Sequence, residues 1–498
     1  MSLAVNLPLF CIIGGLLCAV LSSVLPQRAG KWLTCCLSVA TAAGSGLVLV
    51  CVLQSGAPVV YQMGHFPHPW GNELSFGILE PLIGTLFSMV LLLCVVGGSR
   101  ELEKDTEPEK RGLYYAMADL VLVSLLVLAY TNDVFTGYVF IEICTIAACG
   151  LLMIRQIGRT TLASVRYMIF SLIGSGLFLL GIIFLYSVIG HLLMPELRQA
   201  VADLWQTGAH RTALLTAIVL MTVGLCVKSG LFPFHFWMPD TYGSATPTSS
   251  GILSGLVSKG YILLLIKLIF RVFGAEVFYA CGVRNVLYVL GVAGMVVGSV
   301  SAMRQNDIAR MIALSSAAQI GYIYMGLGIS PGLGVTAALF HILTHALTKP
   351  ALFLSAAKLR QVSGNSRRFK DLQGSAHKNP IAGAAFAIGA FSMIGLPLTM
   401  GFIAKYLFAL AGFHTVYRLV PTMLALAVST VLNTYYFART VIRIYNTRDL
   451  GSYTRVRLKD QPGYAVAALV LAGLNVLFGV LSAPLIDLLE RGVAMLGV

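Results

Sequence analysis

Apolar stretches of about 20 residues recur along the whole chain, and only short polar segments separate them. A stretch of that length can cross a bilayer as a helix. About fourteen can be counted, centred near residues 15, 42, 86, 121, 144, 176, 222, 257, 292, 317, 345, 396, 430 and 474. Backbone polar groups in lipid must find partners within their own segment. The pattern therefore predicts an all-α, polytopic membrane protein.

Two of these stretches contain a helix-breaking proline. The sequence "VKSGLFPFHFWMP" interrupts the seventh stretch at Pro233, and "SMIGLPLTMGFIAKYLF" interrupts the twelfth at Pro397. The backbone groups that such a break frees must be covered by protein or water. Matched broken helices are typical of transporters built from inverted repeats. Five spans separate them, and an odd number turns the second repeat upside down. We therefore predict two inverted five-helix repeats, with two unrelated proline kinks as the alternative.

Composition and charge agree with a membrane protein. Hydrophobic residues make up 57% of the chain and charged residues 11%, and the mean hydropathy is +0.85. The net charge of +14 is unevenly placed. About 21 lysines and arginines lie in odd-numbered loops and about five in even-numbered loops. The positive-inside rule then predicts cytoplasmic odd-numbered loops and both termini outside. No basic patch carries interleaved aromatic residues, so no nucleic-acid partner is expected.

Loops and cysteines add two further expectations. The segment "GGSRELEKDTEPEKRG" (97–112) alternates in charge and is predicted to be a solvated cytoplasmic linker. The ten cysteines show no C-x-x-C spacing and mostly fall in apolar spans, which indicates small buried hydrophobic residues. We expect no iron–sulfur cluster, haem or other cofactor. If the protein serves redox chemistry, it does not itself carry the electrons.

Several ionisable residues lie inside the predicted spans. An ion near the bilayer centre costs about 2.5–3.5 kcal/mol on insertion scales. Any one of them could be structurally paired, but a set spread over five helices indicates a proton path. Lys267 and Lys358 lie nearer the span ends and are predicted to extend to the interface. The candidate proton-path residues are Glu142, Lys228, Lys259, His341, His345, Lys349 and Lys405.

The residue types suit reversible proton binding. Burial disfavours the charged forms of lysine and glutamate alike, so a Glu142–Lys228 pair would hold the lysine charged until the pair separates. His341 and His345 are one helical turn apart and titrate closest to physiological pH. Lys349 follows one turn further along. H-x-x-x-H could also offer two metal ligands, but no glutamate follows the first histidine and no third ligand is near, so no metal site is predicted.

Four blocks in this chain resemble a known family. They are "KSGLFPFHFWMPDTYGSATPTSSGILSGLVSK", "NDIARMIALSSAAQIGYIYMGLG", "LFHILTHALTKPALFLSAAKL" and "GLPLTMGFIAKYLF". They look like the antiporter-like membrane subunits of respiratory complex I, of Mrp-type sodium/proton antiporters and of energy-converting membrane hydrogenases. The resemblance runs from about residue 113 to about residue 445. It implies three regions: three N-terminal helices (1–112), an antiporter-like core (113–445) and a C-terminal helix (446–498).

The resemblance also implies roles for individual residues. Glu142 matches the fifth-helix glutamate, Lys228 its seventh-helix partner and Lys259 the eighth-helix connecting residue. The group of His341, His345 and Lys349 matches the histidine-rich eleventh helix, and Lys405 the twelfth-helix exit residue. His235 and Asp240, after the first break, are expected to orient rather than to transfer protons. Lys259 and Lys405 resemble the complex I N-type and Mrp D-type subunits. Pro350, directly after Lys349, departs from the family pattern and puts the geometry of Lys349 in doubt.

The sequence thus predicts a proton-translocating subunit, with sodium/proton exchange left open, in a multisubunit membrane complex. Expected partners are other membrane subunits, protons or sodium, and the bilayer. The expected location is the cytoplasmic membrane of a prokaryote. No catalytic centre of its own is expected, and whether the chain serves an oxidoreductase or an antiporter is open. The alternatives are a structural scaffold whose charges are packing pairs, and an independent cation/proton antiporter.

Overall fold

The computed structural model describes residues 2–66, 71–447 and 454–497, and the described chain is mostly helical. Arg448, which the loop count above includes, lies outside these residues. In chain order the helices are α1 (Ser2–Val24), α2 (Gln27–Ser55), α3 (Leu79–Asp105), α4 (Arg111–Tyr130), α5 (Val134–Met153), α6 (Gly158–Ile189), α7 (Met194–Thr207), α8 (Arg211–Ser229), α9 (Met238–Ser244), α10 (Pro247–Ile252), α11 (Ser258–Leu268), α12 (Ala275–Ala280), α13 (Val283–Met303), α14 (Ile308–Ile329), α15 (Leu333–Gln361), α16 (Ser375–Lys378), α17 (Pro380–Ile394), α18 (Met400–Phe413), α19 (Val416–Tyr445), α20 (Pro462–Val480) and α21 (Ala483–Met495). Strands β1 (Val59–Gln62) and β2 (Glu73–Phe76) pair as an antiparallel hairpin.

The number of membrane spans agrees with the prediction. Thirteen helical segments among the described residues are long and apolar enough to cross a membrane. The shorter apolar helices α17 and α18 follow each other in the chain and together supply a broken fourteenth span. The seventh span consists of α8, a 3₁₀ turn at Phe234–Trp237 and α9. The eighth consists of α10 and α11, each followed by a π-helical segment, at Leu253–Val257 and Ile269–Phe273.

Burial divides the spans into a centre and a rim. In the eighth, tenth and eleventh spans the most apolar window is fully buried within the protein. In the first span it is 28% buried and in α19 33% buried, because those helices turn apolar side chains outward. A helix buried on all sides in a membrane protein contacts protein rather than lipid, so it can carry polar groups. Most of the predicted ionisable residues lie on these central helices.

The loops separate onto two faces of the bundle. Odd-numbered loops contact one another, as in the 3.2 Å ion pair between Asp105 and Arg155; we call this side the odd-loop face. On the opposite, even-loop face, isolated bridges pair Leu74 with Thr131 and Asp133 with Leu193. The seventh span runs from the even-loop face to the odd-loop face, and the twelfth runs the other way. Opposite directions are what inverted repeats require.

Two features of the fold differ from the sequence prediction. The segment 97–112 is not a linker throughout, because α3 continues to Asp105 and a 3₁₀ turn occupies Pro108–Lys110. Gly97 and Gly98 within it are buried, and a Cβ on Gly98 would clash with the Thr248 hydroxyl. The apolar pattern also gave no sign of the β1–β2 hairpin, whose strands are too short for a distinct signal.

Candidate functional site

Glu142 on α5 and Lys228 on α8 form an ion pair inside the bundle. The Lys228 Nζ lies 3.6 Å from the Glu142 carboxylate and donates a 2.7 Å hydrogen bond to Thr145, one turn further along α5. The ammonium also lies over the ring of Tyr261, 5.3 Å from its centroid. Lys228 is 1% exposed, whereas the Glu142 side chain is 23% exposed. The pair therefore joins a fully enclosed cation to a carboxylate near the lateral surface.

The break in the seventh span places Lys228 at a helix end. Gly230 ends α8 in the left-handed conformation (φ 77°), and its N–H bonds to the carbonyls of Cys226 and Val227. Lysine in the last turn is favourable because the C-terminal end of a helix carries a partial negative charge. The glycine stops the helix, and Pro233 prevents its continuation. The proline and the lysine thus serve one feature, a helix end inside the membrane that presents a cation.

Lys259 occupies the start of α11, directly after the first π-helical segment. Its ammonium donates to the Ser254 carbonyl and, at 3.0 Å, to the Ser258 hydroxyl. A π-turn shifts the helical hydrogen-bond register, so a carbonyl within it can accept from a side chain. Ser254 is in turn hydrogen-bonded through its hydroxyl to Ser316 on α14 at 2.9 Å. Lys259 therefore lies where the eighth span meets the second half of the protein.

Lys349 is fully buried on α15 and bonded to α14. Its ammonium donates to the Ile312 carbonyl at 3.0 Å and to the Ser315 hydroxyl at 2.5 Å. The doubt raised by Pro350 is resolved, because α15 runs unbroken from Leu333 to Gln361. The proline ring packs against Gly255, where an added Cβ would come within 2.9 Å of it. The proline thus fills a space that a glycine on the eighth span leaves open.

His341 and His345 lie on the same face of α15 as Lys349, as the spacing predicts. Their ring centroids are 6.5 Å apart, and the ring of Tyr322 is 5.4 Å from that of His341. Both imidazoles are at most 2% exposed. Neither ring makes a hydrogen bond to another described residue. Proton transfer to or from these rings therefore requires water, since buried polar groups are normally satisfied by protein or ordered water.

Lys405 reaches back across the break between α17 and α18. Its ammonium donates to the Ile394 carbonyl at 2.6 Å, near the end of α17, and to the Thr430 hydroxyl on α19 at 2.8 Å. It also lies 5.7 Å from the centroid of the Tyr322 ring. Gly395, at φ 89°, ends α17 beside the lysine stem. Both breaks thus place a lysine against carbonyls at a helix C-terminus, as an internal repeat would.

The seven predicted residues form a series across the bundle but are not all in contact. Glu142 and Lys228 make the one direct ion pair of the set within the described chain. The remaining lysines each hold carbonyl or hydroxyl oxygens, and the histidines face aromatic rings. Unpartnered buried polar atoms lie between them, including Tyr261 Oη, Gln319 Nε2 and Tyr322 Oη. We call this series the ion chain; its residues are Glu142, Lys228, Lys259, Lys349, His345, His341 and Lys405.

Two lysines behave differently from the sequence prediction. Lys267 is 4% exposed and donates to the carbonyls of Ala129 and Thr131, at the end of α4. Lys358 is 3% exposed and pairs with Glu101 at 2.5 Å. The prediction that both extend to the interface is wrong, because neighbouring helices cover them and supply oxygen acceptors. Position near a span end does not show which helices surround it.

Asp240 occupies a structural position, as expected of a residue that orients its neighbours. One carboxylate oxygen pairs with Arg166 on α6 at 2.6 Å and the other with Arg310 on α14 at 2.8 Å. His235 is stacked on Phe236 with centroids 4.7 Å apart. Both residues hold the segment after the first break against its neighbours at the odd-loop side.

Sequence reasoning missed the hydroxyl groups that hold the lysines. Thr145, Ser315 and Thr430 each accept a hydrogen bond from a lysine of the ion chain. Serine and threonine are common in membrane helices because they can bond to their own helix backbone. Their presence in a span therefore carries no signal of a site. A polar residue one turn from a buried ion, as Thr145 is from Glu142, is the one hint the sequence offers.

Comparison with known proteins defines the class first. The NADH:quinone oxidoreductase/Mrp antiporter transmembrane family matches residues 131–433, which contain every residue of the ion chain. NADH-quinone oxidoreductase subunit N of Desulforudis audaxviator is 34% identical over 449 residues, covering 89% of this chain and 86% of that protein. The D-type subunit of the Na(+)/H(+) antiporter of Alkalihalophilus pseudofirmus is 26% identical, covering 87% of this chain and 85% of that protein.

Solved structures share the whole fold. A chain of the membrane-bound sulfane sulfur reductase, an archaeal respiratory membrane complex, superposes with a TM-score of 0.88 at 24% identity, covering 100% of this chain and 98% of that one. A chain of the Mrp complex from Dietzia sp. gives the same TM-score at 23% identity, with the same coverage. A chain of respiratory complex I from Thermus thermophilus gives 0.73 at 22% identity, covering 97% and 99%. This chain belongs to the NADH:quinone oxidoreductase/Mrp antiporter family of membrane proteins.

Proposed function

We propose that this chain translocates protons across the membrane through the ion chain, as one subunit of a larger assembly. The observation that carries the proposal is the Glu142–Lys228 pair at the break of the seventh span. A scaffold of apolar helices does not need a lysine 1% exposed beside an interrupted helix. Energy from a redox partner or a sodium gradient would change the pairing of Glu142 with Lys228. Protons would then pass by Lys259 and the α15 residues to Lys405.

The residue types favour protons over sodium as the ion that moves along the chain. Six of the seven members are lysine or histidine, so the path is lined by groups that carry positive charge or none. Such groups repel a sodium ion and offer it no oxygen ligand. A proton, in contrast, moves by transfer between nitrogen and oxygen atoms. Sodium/proton exchange by the assembly is the second candidate, because one relative is named as part of a Na(+)/H(+) antiporter.

The environment of Glu142 supports a partner subunit. On α5 the neighbouring outward residues Phe135, Val139 and Ile146 are 45%, 36% and 61% exposed. Glu142 lies in the same stripe, with a 23% exposed side chain. A carboxylate facing lipid at that depth would cost about 2.5–3.5 kcal/mol. We therefore infer that a helix of another membrane subunit covers this stripe, as in the multisubunit assemblies named for the related structures.

Charge placement supports an orientation and a location. The odd-loop face carries most of the lysines and arginines outside the spans, including Arg159, Arg304 and Arg368 around one cavity. We propose that this face is cytoplasmic, that both termini are external, and that the membrane is the cytoplasmic membrane of a prokaryote.

The first experiment identifies the assembly. The tagged chain is purified from its native membranes in mild detergent, and co-purifying proteins are identified by mass spectrometry. Redox subunits would assign the chain to an electron-driven pump, and small membrane partners without redox centres to an Mrp-like antiporter. Recovery of the chain without partners, together with ion flux in liposomes, would instead support an independent antiporter.

The second experiment tests the role of the ion chain. We expect Lys228→Ala to abolish proton flux of the purified assembly in liposomes while leaving its composition unchanged. Lys267→Ala is the matched control, because Lys267 is also a buried lysine but bonds only to carbonyls outside the ion chain. Normal flux in an intact Lys228→Ala assembly would refute the proposed role.

A further inference from the structure

The inward face of α19 carries a stripe of polar side chains that the ion chain does not include. Ser429, Asn433 and Tyr436 lie about one turn apart on one face, and each is at most 3% exposed. On the opposite face Val431 and Tyr435 are 68% and 52% exposed. Burying polar groups is unfavourable unless they are hydrogen-bonded. The stripe therefore has to be explained by what it contacts.

The stripe forms one hydrogen-bonded cluster with α13. The Asn433 side-chain oxygen accepts from Tyr436 at 2.5 Å and from Ser299 at 3.3 Å. The hydroxyls of Ser299 and Ser429 lie 3.3 Å apart. Tyr436 also faces the hydroxyl of Ser315 on α14. Four hydroxyl groups from three helices thus converge around one amide.

Each end of this cluster reaches a lysine of the ion chain. On one side, Ser315 accepts a 2.5 Å hydrogen bond from Lys349. On the other, the hydroxyl of Ser429 faces that of Tyr322, which also lies beside Thr430. Thr430 accepts a 2.8 Å hydrogen bond from Lys405. The cluster therefore spans from the central lysine of α15 to the lysine at the second helix break.

We infer that these hydroxyls form a second proton route between Lys349 and Lys405, beside the route through His341 and His345. We call it the hydroxyl relay; in order it consists of Ser315, Tyr436, Ser299, Ser429, Tyr322 and Thr430. The inference rests on the proposed function, and it adds residues of α13 and α19 to the proton path.

The relay requires only proton exchange between neighbouring groups. The Lys349 ammonium loses a proton to Ser315 while each hydroxyl passes its own proton to the next. Thr430 finally gives a proton to the neutral amine of Lys405. At every step one N–H or O–H bond breaks and one O–H or N–H bond forms, so each hydroxyl keeps one hydrogen. Asn433 is a positioning residue, because its carbonyl oxygen only orients Ser299 and Tyr436.

The two routes differ in how they are connected. The histidine rings make no hydrogen bond to other described residues, and 6.5 Å separates their centroids. The relay contains direct hydrogen bonds at both lysines and between Ser299 and Ser429. Two parallel routes predict a particular kinetic pattern. Loss of either route alone is tolerated, and loss of both is not.

The test measures proton flux of the purified assembly in liposomes with an entrapped pH-sensitive dye. The relay is interrupted by Tyr436→Phe and the other route by His341→Leu with His345→Leu. We expect Tyr436→Phe alone to lower flux by no more than about twofold, because coupled parallel sites give non-additive effects. In the double-histidine variant the same change should lower flux by a further tenfold or so. Ser429→Ala should act like Tyr436→Phe, and combining them should add nothing, because they lie in series.

A control separates the relay from a packing effect. Tyr130 also donates a buried hydrogen bond to a serine, at 2.9 Å to Ser45, but lies outside both routes. Tyr130→Phe should leave flux unchanged in the double-histidine variant. Equal flux with and without Tyr436→Phe in that variant would overturn the relay. Flux that is also unaffected by Lys228→Ala would overturn the proposed function itself, and with it the relay.

Discussion

Neutralising the Glu142–Lys228 pair distinguishes a transport role from a packing role. Two unit charges 3.6 Å apart attract each other by about 4–5 kcal/mol when the effective dielectric constant is about 20. Glu142→Gln keeps the shape of the side chain and removes this attraction. Lys228→Met removes the cation and leaves the carboxylate unpaired. Each single change breaks a buried pair, which typically costs about 3–5 kcal/mol of stability.

The double variant gives opposite results under the two roles. Replacing a buried ion pair by neutral groups of similar volume is often neutral or stabilising. If the pair only packs helices together, Glu142→Gln with Lys228→Met should restore both stability and flux. If Lys228 binds and releases protons, the double variant should regain stability but transport at least tenfold more slowly, since a tenfold rate change needs only about 1.4 kcal/mol.

The assay combines two measurements on the same preparation. Stability is followed by the temperature at which the detergent-solubilised assembly loses its peak in size-exclusion chromatography, and proton flux by a dye in liposomes. The control pair is Glu80 with Arg271, which are 2.6 Å apart, largely buried and outside the ion chain. Its double neutral variant should keep normal flux per assembled complex. Wild-type flux in the Glu142→Gln, Lys228→Met double variant would refute our reasoning.

Three further predictions concern individual contacts. Gly224→Val should prevent folding, because a Cβ there would lie 2.5 Å from the Gly174 carbonyl oxygen; the yield of monodisperse protein from membranes measures this, and normal yield would contradict it. Lys405→Met should abolish flux without dissociating the assembly, because it removes a cation at the second break; flux in liposomes is the readout. Asp240→Asn should lower stability by only about 1 kcal/mol, since its two arginine pairs are partly exposed, and should leave flux near normal; a large loss of flux would give Asp240 a direct role.

The hydrophobic pattern alone determines much of this protein. The number of spans, the two breaks and the seven ionisable residues are all visible in the sequence. The reason is that the costs involved are local. A span needs a minimum length of apolar residues, a proline cannot continue a helix, and an ion in lipid is costly wherever the chain folds. The resemblance of the four sequence blocks adds the family, which the comparisons confirm.

The tertiary structure decides which groups each ion contacts. Lys267 and Lys358 have the sequence positions of interfacial lysines, yet neighbouring helices bury both. Pro350 is compatible with a straight helix because Gly255 lies opposite it. Thr145, Ser315 and the polar stripe of α19 acquire significance only where a lysine or another hydroxyl meets them. These contacts join residues far apart in the chain, and serine, threonine and tyrosine are tolerated at many membrane positions, so no local pattern marks the ones that matter.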